Sequence, residues 1–269
     1  MKKIRLDQLV FDRGLTPSRE RAKTSIMAGL VFVNGQRSDK PGTPIAEDAV
    51  VELHGDAIPY VSRGGLKLEK ALKIFEFDPT GMVCIDCGAS TGGFTDVLLK
   101  NGAKKVYAVD VGYGQLAWSL RCDERVVSME RTNIRYVTPE QLPETPELAV
   151  MDLSFISIRL ILPVLHELIT ENAYVICLIK PQFEAGREKV GKKGVVREKA
   201  THIEVVRDFL DFAPTAGFTP LGLGFSPIRG PEGNIEYLAI LRRGAHEAPT
   251  LDPVAVVEAS HGEFKANVD

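Results

Sequence analysis

Cysteine is scarce in this chain, which has four cysteines among its 269 residues, at positions 84, 87, 122 and 177. Cys84 and Cys87 form a lone C-x-x-C pair, but no second pair and no neighbouring pair of histidines completes a zinc-binding set. We therefore predict no metal site and interpret the cysteines as reduced residues, three of them within apolar runs. This usage is typical of a cytoplasmic protein.

Long hydrophobic segments and an excess of one charge are also missing. The first residues, MKKIRLDQLVFD, contain no apolar signal-peptide core, and no run approaches the roughly 18 apolar residues of a membrane span. We therefore expect no membrane partner. The net charge is only −3, so any nucleic-acid surface must come from local clusters of basic residues. Hydrophobic residues make up 44% of the chain, which is enough for a substantial core.

Residues 1–60 are predicted to form a small α+β domain. Two helical segments, RLDQLVFDRG and TPSRERAKTSIMAG, precede two strand-like pieces, LVFVNG and DAVVELHG. Basic residues outnumber acidic ones in this first helical region. They either form a solvated helix face or lay a positive surface on RNA phosphates. The candidate RNA-binding residues in this domain are Arg5, Arg19, Arg21 and Lys23.

Strands and helices alternate over residues 61–244. Strand-like segments occur at MVCIDCGA, KKVYAVDVG, RVVSMERTN, ELAVMDLS and YVICLIKP. The last two strands, TPLGLGFSPI and IEYLAILRR, are joined by a turn too short for a crossover, so they must pair antiparallel. This order predicts an α/β fold with a doubly wound, mostly parallel sheet and an antiparallel last strand. Residues 245–269 are polar and contain proline, and we expect a loose C-terminal tail with about one helical turn.

A glycine-rich turn, IDCGASTGGFTD, follows the first strand of this sheet. Glycines between a strand and a helix let the backbone approach a ligand. The dinucleotide pattern G-x-G-x-x-G fails because Ser90 occupies its middle glycine, so no pyrophosphate cradle is present. Asp110 ends the next strand, where a carboxylate can bind both hydroxyls of an adenosine ribose. S-adenosylmethionine fits this pattern best, although glycines for tight packing and Asp110 as a helix cap are the alternative. The candidate cofactor-binding residues are Asp86, Gly88, Ser90, Gly92, Gly93 and Asp110.

Charged residues flank three apolar runs near the same predicted edge of the sheet. Asp152 ends LAVMD, Lys180 ends VICLIK, and Glu236 precedes YLAIL. Ligands of open parallel sheets bind beyond the carboxyl ends of the strands. Each charge alone is an ordinary strand end, and Lys180 can simply extend its amine to water, but three together indicate a site. Asp152 is followed by LSF and not by the Pro-Pro-aromatic sequence associated with methylation of exocyclic amino groups, which argues against an amino-nitrogen acceptor.

These motifs resemble the TlyA (hemolysin A-like) family over nearly the whole chain. The segment RLDQLVFDRGLTPSRERAKTSIMAGLVFVNG resembles the S4 RNA-binding fold. The segments YVSRGGLKLEKAL, DCGASTGGFTD, MDLSFIS, LIKPQFE and GNIEYL resemble the motifs of FtsJ-like RNA ribose methyltransferases. The resemblance implies a Rossmann-like class I methyltransferase domain. It also implies transfer of a methyl group from S-adenosylmethionine to a ribose 2′-hydroxyl of ribosomal RNA, with cytidine as the acceptor and ribosomal subunits as partners.

The resemblance further implies a catalytic set of Lys67, Asp152, Lys180 and Glu236, and it adds Asn133 to the cofactor-binding residues. A ribose hydroxyl is a poor nucleophile at neutral pH, so methyl transfer needs a base and close alignment. Burial and a neighbouring positive charge are the conditions under which a lysine serves as a base. We therefore hypothesise that Lys180 is the base and that the other three residues position and stabilise the reacting groups.

A second basic cluster follows Lys180, in GREKVGKKGVVREK. This segment is either a disordered surface loop or, beside the active edge, an RNA-binding segment that orders on binding. Its candidate RNA-binding residues are Arg187, Lys189, Lys192 and Lys193. Three other functions are considered: a ribosome-assembly factor with an inactive methyltransferase fold, a pore-forming haemolysin, and a small-molecule methyltransferase, which leaves the first 60 residues without a role.

Overall fold

The structure is a computed structural model that describes residues 3–55 and 58–266. The chain divides into two compact units, Met1–Leu66 and Lys67–Asp269. The first unit contains strands β1 (Lys3–Arg5), β2 (Val31–Val33), β3 (Gln36–Ser38), β4 (Pro44–Ala46) and β5 (Val51–Leu53), and helices α1 (Leu6–Asp12) and α2 (Arg19–Met27).

The two helices of the first unit share one apolar core. Leu6, Leu9 and Val10 of α1 are buried with Ala22 and Ile26 of α2, as expected for apolar residues spaced three or four apart on a helix. The strands form two antiparallel sheets, β1–β4 and β3–β2–β5. The unit is therefore a small α+β domain.

Helix α3 (Gly65–Ile74) spans the boundary between the units. The remaining strands are β6 (Val83–Cys87), β7 (Lys105–Val109), β8 (Val126–Met129), β9 (Leu148–Met151), β10 (Tyr174–Ile179), β11 (Phe218–Phe225) and β12 (Tyr237–Arg243). The remaining helices are α4 (Gly93–Lys100), α5 (Trp118–Arg121), α6 (Leu162–Leu168), α7 (Pro181–Glu184), α8 (Lys199–Phe212) and α9 (Pro253–Ala266). None of the helices in the described ranges is long and apolar enough to cross a membrane.

A seven-stranded sheet in the order β11-β12-β10-β9-β6-β7-β8 forms the centre of the second unit. The pairs from β10 to β8 are parallel, and β12 is antiparallel to both β10 and β11. The predicted fold class is confirmed, including the antiparallel last strand. The central strands β6, β9 and β10 are buried along almost their whole length, because helices cover both faces of a doubly wound sheet.

The register of the sheet brings several strand ends to one edge. Cys87 of β6 pairs with Met151 of β9 and with Val109 of β7, so the residues that follow these strands are neighbours. Ile179, the last residue of β10, pairs with Tyr237, the first residue of the antiparallel β12. The start of β12 and the ends of the parallel strands therefore lie at the same edge.

The C-terminal segment differs from the expected loose tail. Residues Pro253–Ala266 form helix α9, whose Val257, Ser260 and Phe264 are buried. Apolar positions seven residues apart lie on one helical face, and this face packs on the apolar core of the unit. The periodicity of the segment did not reveal the helix because its apolar residues are spread around it, with Val254 exposed and Val257 buried.

Candidate functional site

Four charged side chains meet at the edge where the parallel strands end. Lys67 Nζ lies 3.0 Å from Asp152 Oδ2 and 2.6 Å from Glu236 Oε2. Lys180 Nζ lies 2.5 Å from Asp152 Oδ1 and 4.0 Å from Glu236 Oε1. Lys67, Lys180 and Glu236 are buried, and Asp152 is partly exposed. The structure thus brings together all four residues of the catalytic set implied by the resemblance, which we call the charged tetrad.

Each member of the tetrad is positioned by a different element. Asp152 and Lys180 directly follow β9 and β10, and Glu236 directly precedes β12. Lys67 comes from α3, where Leu68 and Ala71 are fully buried and hold the helix against the domain. Periodicity alone favours a solvated lysine at position 67, whereas packing of the helix turns its amine to the strand ends.

Burial and ion pairing oppose each other in the tetrad. Burial alone would lower the pKa of Lys67, but the charges of Asp152 and Glu236 outweigh it and raise that pKa overall. Burial alone would raise the pKa of Asp152, but Lys67 and Lys180 outweigh it and lower that pKa overall. Lys67 is therefore held as an ammonium group and Asp152 as a carboxylate. The two groups compensate each other, as buried charges require.

The surroundings of Lys180 combine burial with a carboxylate that Lys180 shares with Lys67. We predicted burial beside a second positive charge, and Lys180 is indeed buried. Its nearest charged atom, however, is a carboxylate oxygen of Asp152, and its amine also donates to Ser154 Oγ at 3.3 Å. The Asp152 carboxylate and the Ser154 hydroxyl thereby fix the position of the Lys180 amine.

A cavity of ≈ 530 Å³ opens beside Asp152. Its lining includes five residues of the predicted sites: Gly88, Ser90, Asp110, Asn133 and Asp152. Four of these residues follow the neighbouring strands β9, β6 and β7, and Asn133 lies in the segment after β8. In the described parts of the chain, no three His, Cys, Asp or Glu side chains are arranged to hold a metal ion.

The Asp110 carboxylate organises the loops at one side of this cavity. Its Oδ2 accepts a hydrogen bond from Ser90 N at 2.7 Å, and its Oδ1 accepts one from Gly112 N at 2.7 Å. Each carboxylate oxygen can accept a further bond. Asn133 Oδ1 accepts from Arg135 N at 3.1 Å, which leaves the Asn133 amide group as a potential donor.

Asp86 and Gly92 serve packing around the turn between β6 and α4. The fully buried Asp86 Oδ2 accepts from Thr95 N at 3.0 Å and Thr95 Oγ1 at 2.7 Å, which ties β6 to α4. Burial raises the pKa of Asp86 to about 7 despite these bonds. A Cβ at Gly92 would lie 2.2 Å from Leu120 Cδ1, so this glycine allows close packing. The described residues that line the cavity do not include Asp86, Gly92 or Gly93.

Sequence reasoning missed two phenylalanines beside the tetrad. Phe155 is 91% exposed and has a φ of +64°, which is rare for a bulky residue. Its ring centroid lies 5.4 Å from that of Phe183, whose ring centroid is 6.0 Å from Lys180 Nζ. Both rings line a second cavity of ≈ 420 Å³, together with Gln182 and Arg187. Their positions within MDLSFIS and LIKPQFE were the available signal, but only Asp152 and Lys180 were assigned from these motifs.

The basic residues of the first unit already have partners within the chain. Arg5 and Arg19 both lie 3.0 Å from the buried carboxylate of Asp7. Burial would raise the pKa of Asp7, but the two guanidinium groups lower it overall. Arg21 Nη1 donates to Ile58 O at 3.2 Å, and Lys23 pairs with Glu20 at 2.6 Å. These side chains shape the surface of the unit, and whether they also contact RNA stays a prediction.

The basic segment after Lys180 is partly organised. Asn234 Nδ2 donates to Gly194 O at 2.8 Å, and Asn234 Oδ1 accepts from Val196 N at 3.0 Å. Lys189 pairs with Glu204 at 2.5 Å. Arg187, Lys192 and Lys193 are exposed, and in the described structure they form no ion pair. We call residues 187–197 the basic loop.

Comparison with known families and proteins gives consistent matches over nearly the whole chain. The FtsJ-like methyltransferase family matches residues 60–243, and the S4 domain family matches residues 4–51. YqxC of Bacillus subtilis is 52% identical over 270 residues, which cover 98% of this chain and 96% of YqxC.

Two further relatives bear on the activity. A Mycobacterium tuberculosis protein, 16S/23S rRNA (cytidine-2′-O)-methyltransferase TlyA, is 44% identical over 242 residues, which cover 90% of each chain. A solved structure of a hemolysin-named protein from Streptococcus thermophilus is 50% identical and covers 99% of this chain and 98% of that one, with a TM-score of 0.79. The names of these relatives point to rRNA methylation in one case and to haemolysis in the other.

Proposed function

Because this chain belongs to the FtsJ-like methyltransferase family and carries an S4 domain ahead of the methyltransferase part, we propose that it methylates a ribose 2′-hydroxyl of ribosomal RNA with S-adenosylmethionine. The observation that carries this proposal is the buried charged tetrad, which adjoins the ≈ 530 Å³ cavity through Asp152. The name of the M. tuberculosis relative supports cytidine as the acceptor nucleotide. The S4 domain supports an RNA substrate.

The cavity beside Asp152 fits S-adenosylmethionine. Gly88 has a φ of +87°, and a Cβ there would lie 3.1 Å from Asp152 O and Leu153 Cδ2, so a side chain has no room at this point. Asp110 offers carboxylate oxygens for the ribose hydroxyls of the cofactor, and Asn133 offers an amide donor. When bound, S-adenosylmethionine supplies a methyl group on a positively charged sulfur. Asp152 belongs both to the lining of this cavity and to the tetrad, so the methyl group would be supplied beside the tetrad.

Lys180 is the base in this proposal, and Lys67 is its electrostatic partner. With S-adenosylmethionine bound, its sulfonium would supply the methyl group to the 2′-oxygen, and Lys180, as the base, would take the hydroxyl proton. Asp152 and Glu236 then stabilise the resulting ammonium group. Lys67 has a raised pKa because two carboxylates contact its amine, so it stays charged and does not take this proton.

The second cavity is a suitable place for the acceptor nucleotide. It shares Phe155 and Ile156 with the cofactor cavity, so a nucleotide in the second cavity would lie beside the cofactor cavity. Phe155 and Phe183 present aromatic surfaces for a base, and Arg187 presents a charge for a phosphate. Lys180 Nζ lies 6.0 Å from the Phe183 ring centroid, within reach of the sugar of a nucleotide held there.

The proposal is tested by methyl transfer from labelled S-adenosylmethionine to separated ribosomal subunits and to naked rRNA, followed by mapping of the modified nucleotide. We expect a 2′-O-methylated ribose. Lys180→Ala should reduce the rate at least about 10²-fold, the usual contribution of a general base, with cofactor affinity nearly unchanged. Lys73→Ala, an exposed lysine of α3, is the matched control and should retain full activity.

Three results would contradict these assignments in distinguishable ways. If the wild-type chain transfers no methyl group to any rRNA substrate, the proposed function is wrong. If the methyl group is found on a base, the proposed acceptor is wrong. If Lys180→Ala keeps full activity, only the assignment of the base is wrong.

A further inference from the structure

Three large aromatic side chains are exposed next to the cofactor cavity. Tyr113, Trp118 and Tyr136 are 68%, 78% and 71% exposed, and Trp118 is the only tryptophan of the chain. Among the described lining residues of the cavity, none of the three appears. Aromatic rings bury large areas when they contribute to a core, so three exposed rings on neighbouring segments indicate a surface that meets a partner.

The two segments that carry these rings are bonded to each other. Gly114 N donates to Glu130 Oε1 at 2.9 Å, and Arg131 N donates to Gly112 O at 2.9 Å. The segment 110–121, with Tyr113 and Trp118, is thereby fixed to the segment 130–136, with Tyr136. Both segments contribute lining residues to the cofactor cavity. The rings are therefore carried by segments that border the cavity, and we call Tyr113, Trp118 and Tyr136 the aromatic rim.

Cationic groups accompany the aromatic rim. The Arg131 guanidinium lies 4.2 Å from the ring centroid of Tyr113, and that of Arg135 lies 5.7 Å from the centroid of Tyr136. In the described structure neither arginine forms an ion pair. Planar guanidinium groups beside aromatic rings are the groups that hold phosphates and stack on bases in single-stranded RNA.

The two carboxylates of the segments 110–121 and 130–136 are bonded within the protein. Glu130 is largely buried, accepts from Gly114 N and pairs with Arg121. Asp110 accepts from the amides of Ser90 and Gly112. The rim therefore presents rings and positive charge while the neighbouring negative charge is satisfied internally. This charge pattern favours a polyanion with flat apolar faces over an uncharged protein surface.

We propose that the aromatic rim binds unpaired nucleotides that flank the methylated one, by stacking of bases on Tyr113, Trp118 and Tyr136 and by contacts of Arg131 and Arg135 with phosphates. This inference rests on the proposed function, because the acceptor RNA is the strand that reaches the cofactor cavity. The rim is an RNA contact in addition to the S4 domain and the basic loop. It requires unstacked bases, so a continuous duplex does not occupy it.

Fluorescence of Trp118 tests the rim directly, because the emission of the only tryptophan reports on this surface alone. Titration of the full chain with single-stranded decacytidylate should quench the emission in a saturable way. A duplex RNA of the same length should leave it nearly unchanged, even where it binds elsewhere. Absence of quenching by the single strand, or equal quenching by the duplex, would overturn the proposal.

Methyl transfer by substituted chains distinguishes stacking from simple apolar burial. Trp118→Leu should raise the KM for the rRNA substrate about 5- to 50-fold, the range expected from loss of one stacked base, and leave kcat and cofactor affinity unchanged. Trp118→Phe keeps an aromatic face and should stay within about threefold of the wild type. Tyr136→Leu and Tyr136→Trp provide an independent second pair.

The outcomes separate this inference from the proposed function. An unchanged KM in Trp118→Leu and Tyr136→Leu would refute the rim as an RNA contact while methylation itself persists. Equal losses in the leucine and aromatic variants would refute stacking and indicate a protein partner. If the wild-type chain methylates no rRNA, the proposed function fails, and saturable quenching by the single strand still decides whether the rim binds RNA.

Discussion

Lys67 and Lys180 carry the same amine, but the neighbours of the two amines differ. Lys67 is in contact with two carboxylates, at 3.0 and 2.6 Å. Lys180 has one carboxylate at 2.5 Å, with the second at 4.0 Å, and it donates to a hydroxyl of Ser154, which lines the cofactor cavity. Lys67 is thus enclosed by two carboxylates, whereas Lys180 is bonded to a residue that lines the cavity. This difference is the reason that we propose Lys180 as the base and Lys67 as its electrostatic partner.

Gly88 provides a prediction at the residue scale. Gly88→Ala places a Cβ at 3.1 Å from Asp152 O and Leu153 Cδ2, at a φ of +87°. Left-handed backbone costs an alanine about 1–2 kcal/mol, and the added contact narrows the cofactor cavity. We expect a small loss of thermal stability and at least tenfold weaker binding of S-adenosylmethionine, measured by calorimetry.

Gly81→Ala is the matched control for this substitution. Gly81 has a φ of +77° and no atom within 4 Å of the added Cβ, so it carries the same backbone strain without the contact. It should lose a similar stability and keep its cofactor affinity. Equal cofactor affinity in both variants would show that Gly88 serves the turn and not the ligand.

At the scale of elements, a buried polar network joins α8, β12 and α9. His202 Nδ1 lies 2.7 Å from Tyr237 Oη and its Nε2 lies 3.1 Å from Val196 O. His261 Nε2 of α9 lies 3.1 Å from His202 Nδ1, and Tyr237 Oη lies 3.3 Å from Ser260 Oγ. Because Tyr237 directly follows Glu236, the network supports the strand start that carries a member of the charged tetrad.

This network predicts a loss of stability in acid. Burial lowers the pKa of His202 to about 4, from an ordinary value of 6.5. The unfolded chain takes up a proton below pH 6.5 and the folded chain only near pH 4, so the contribution of His202 is complete above pH 6.5 and declines as the pH falls towards 4. The contribution is of the order of 3 kcal/mol.

Urea unfolding of the wild type and His202→Gln between pH 7.5 and 4.5 measures this contribution. The variant should be less stable at pH 7.5 and should show a weaker decline in acid. The difference between the two chains isolates His202 from groups such as Asp86, whose raised pKa acts in the opposite direction. His54→Gln, at an exposed histidine, should keep the wild-type decline, and an identical pH dependence in His202→Gln would contradict the prediction.

At the scale of the whole molecule, basic side chains are clustered in a few places, although the net charge is slightly negative. The net charge is −3, yet the first unit, the basic loop and the aromatic rim each expose arginines or lysines. Several separate clusters can each bind a phosphate, and each such contact adds to the dependence of RNA affinity on salt. Affinity therefore depends on where the charges lie more than on their sum.

The basic loop gives the corresponding prediction. Replacing Arg187, Lys192 and Lys193 by glutamine should weaken binding of rRNA. It should also reduce the magnitude of the negative slope of log K against log salt by about 2, since each single-strand phosphate contact contributes about 0.7. Lys189→Gln is the control, because Glu204 holds that amine, and it should change the slope by less than one contact. An unchanged slope in the triple variant would exclude the loop from RNA binding.

The alternation of strands and helices along the chain, and the residues at the ends of the strands, could be predicted from the sequence. Runs of buried residues such as VCIDC and YVICLI predict parallel strands, and a short turn forces the last pair to be antiparallel. Asp152, Lys180 and Glu236 adjoin such runs, so their common edge follows from local pattern. These features are visible because they depend on residues close together in the chain.

Only the tertiary structure decided the rest of the site. The bond from Lys67 to Asp152 joins residues 85 positions apart, and periodicity leaves such a lysine in water. Helix α9 depends on a core that its own sequence does not reveal, and the exposure of Phe155 depends on a left-handed backbone conformation. The sequence determined which charges reach the edge of the sheet. Long-range packing decided which carboxylate each amine contacts, because those distances depend on contacts between distant parts of the chain.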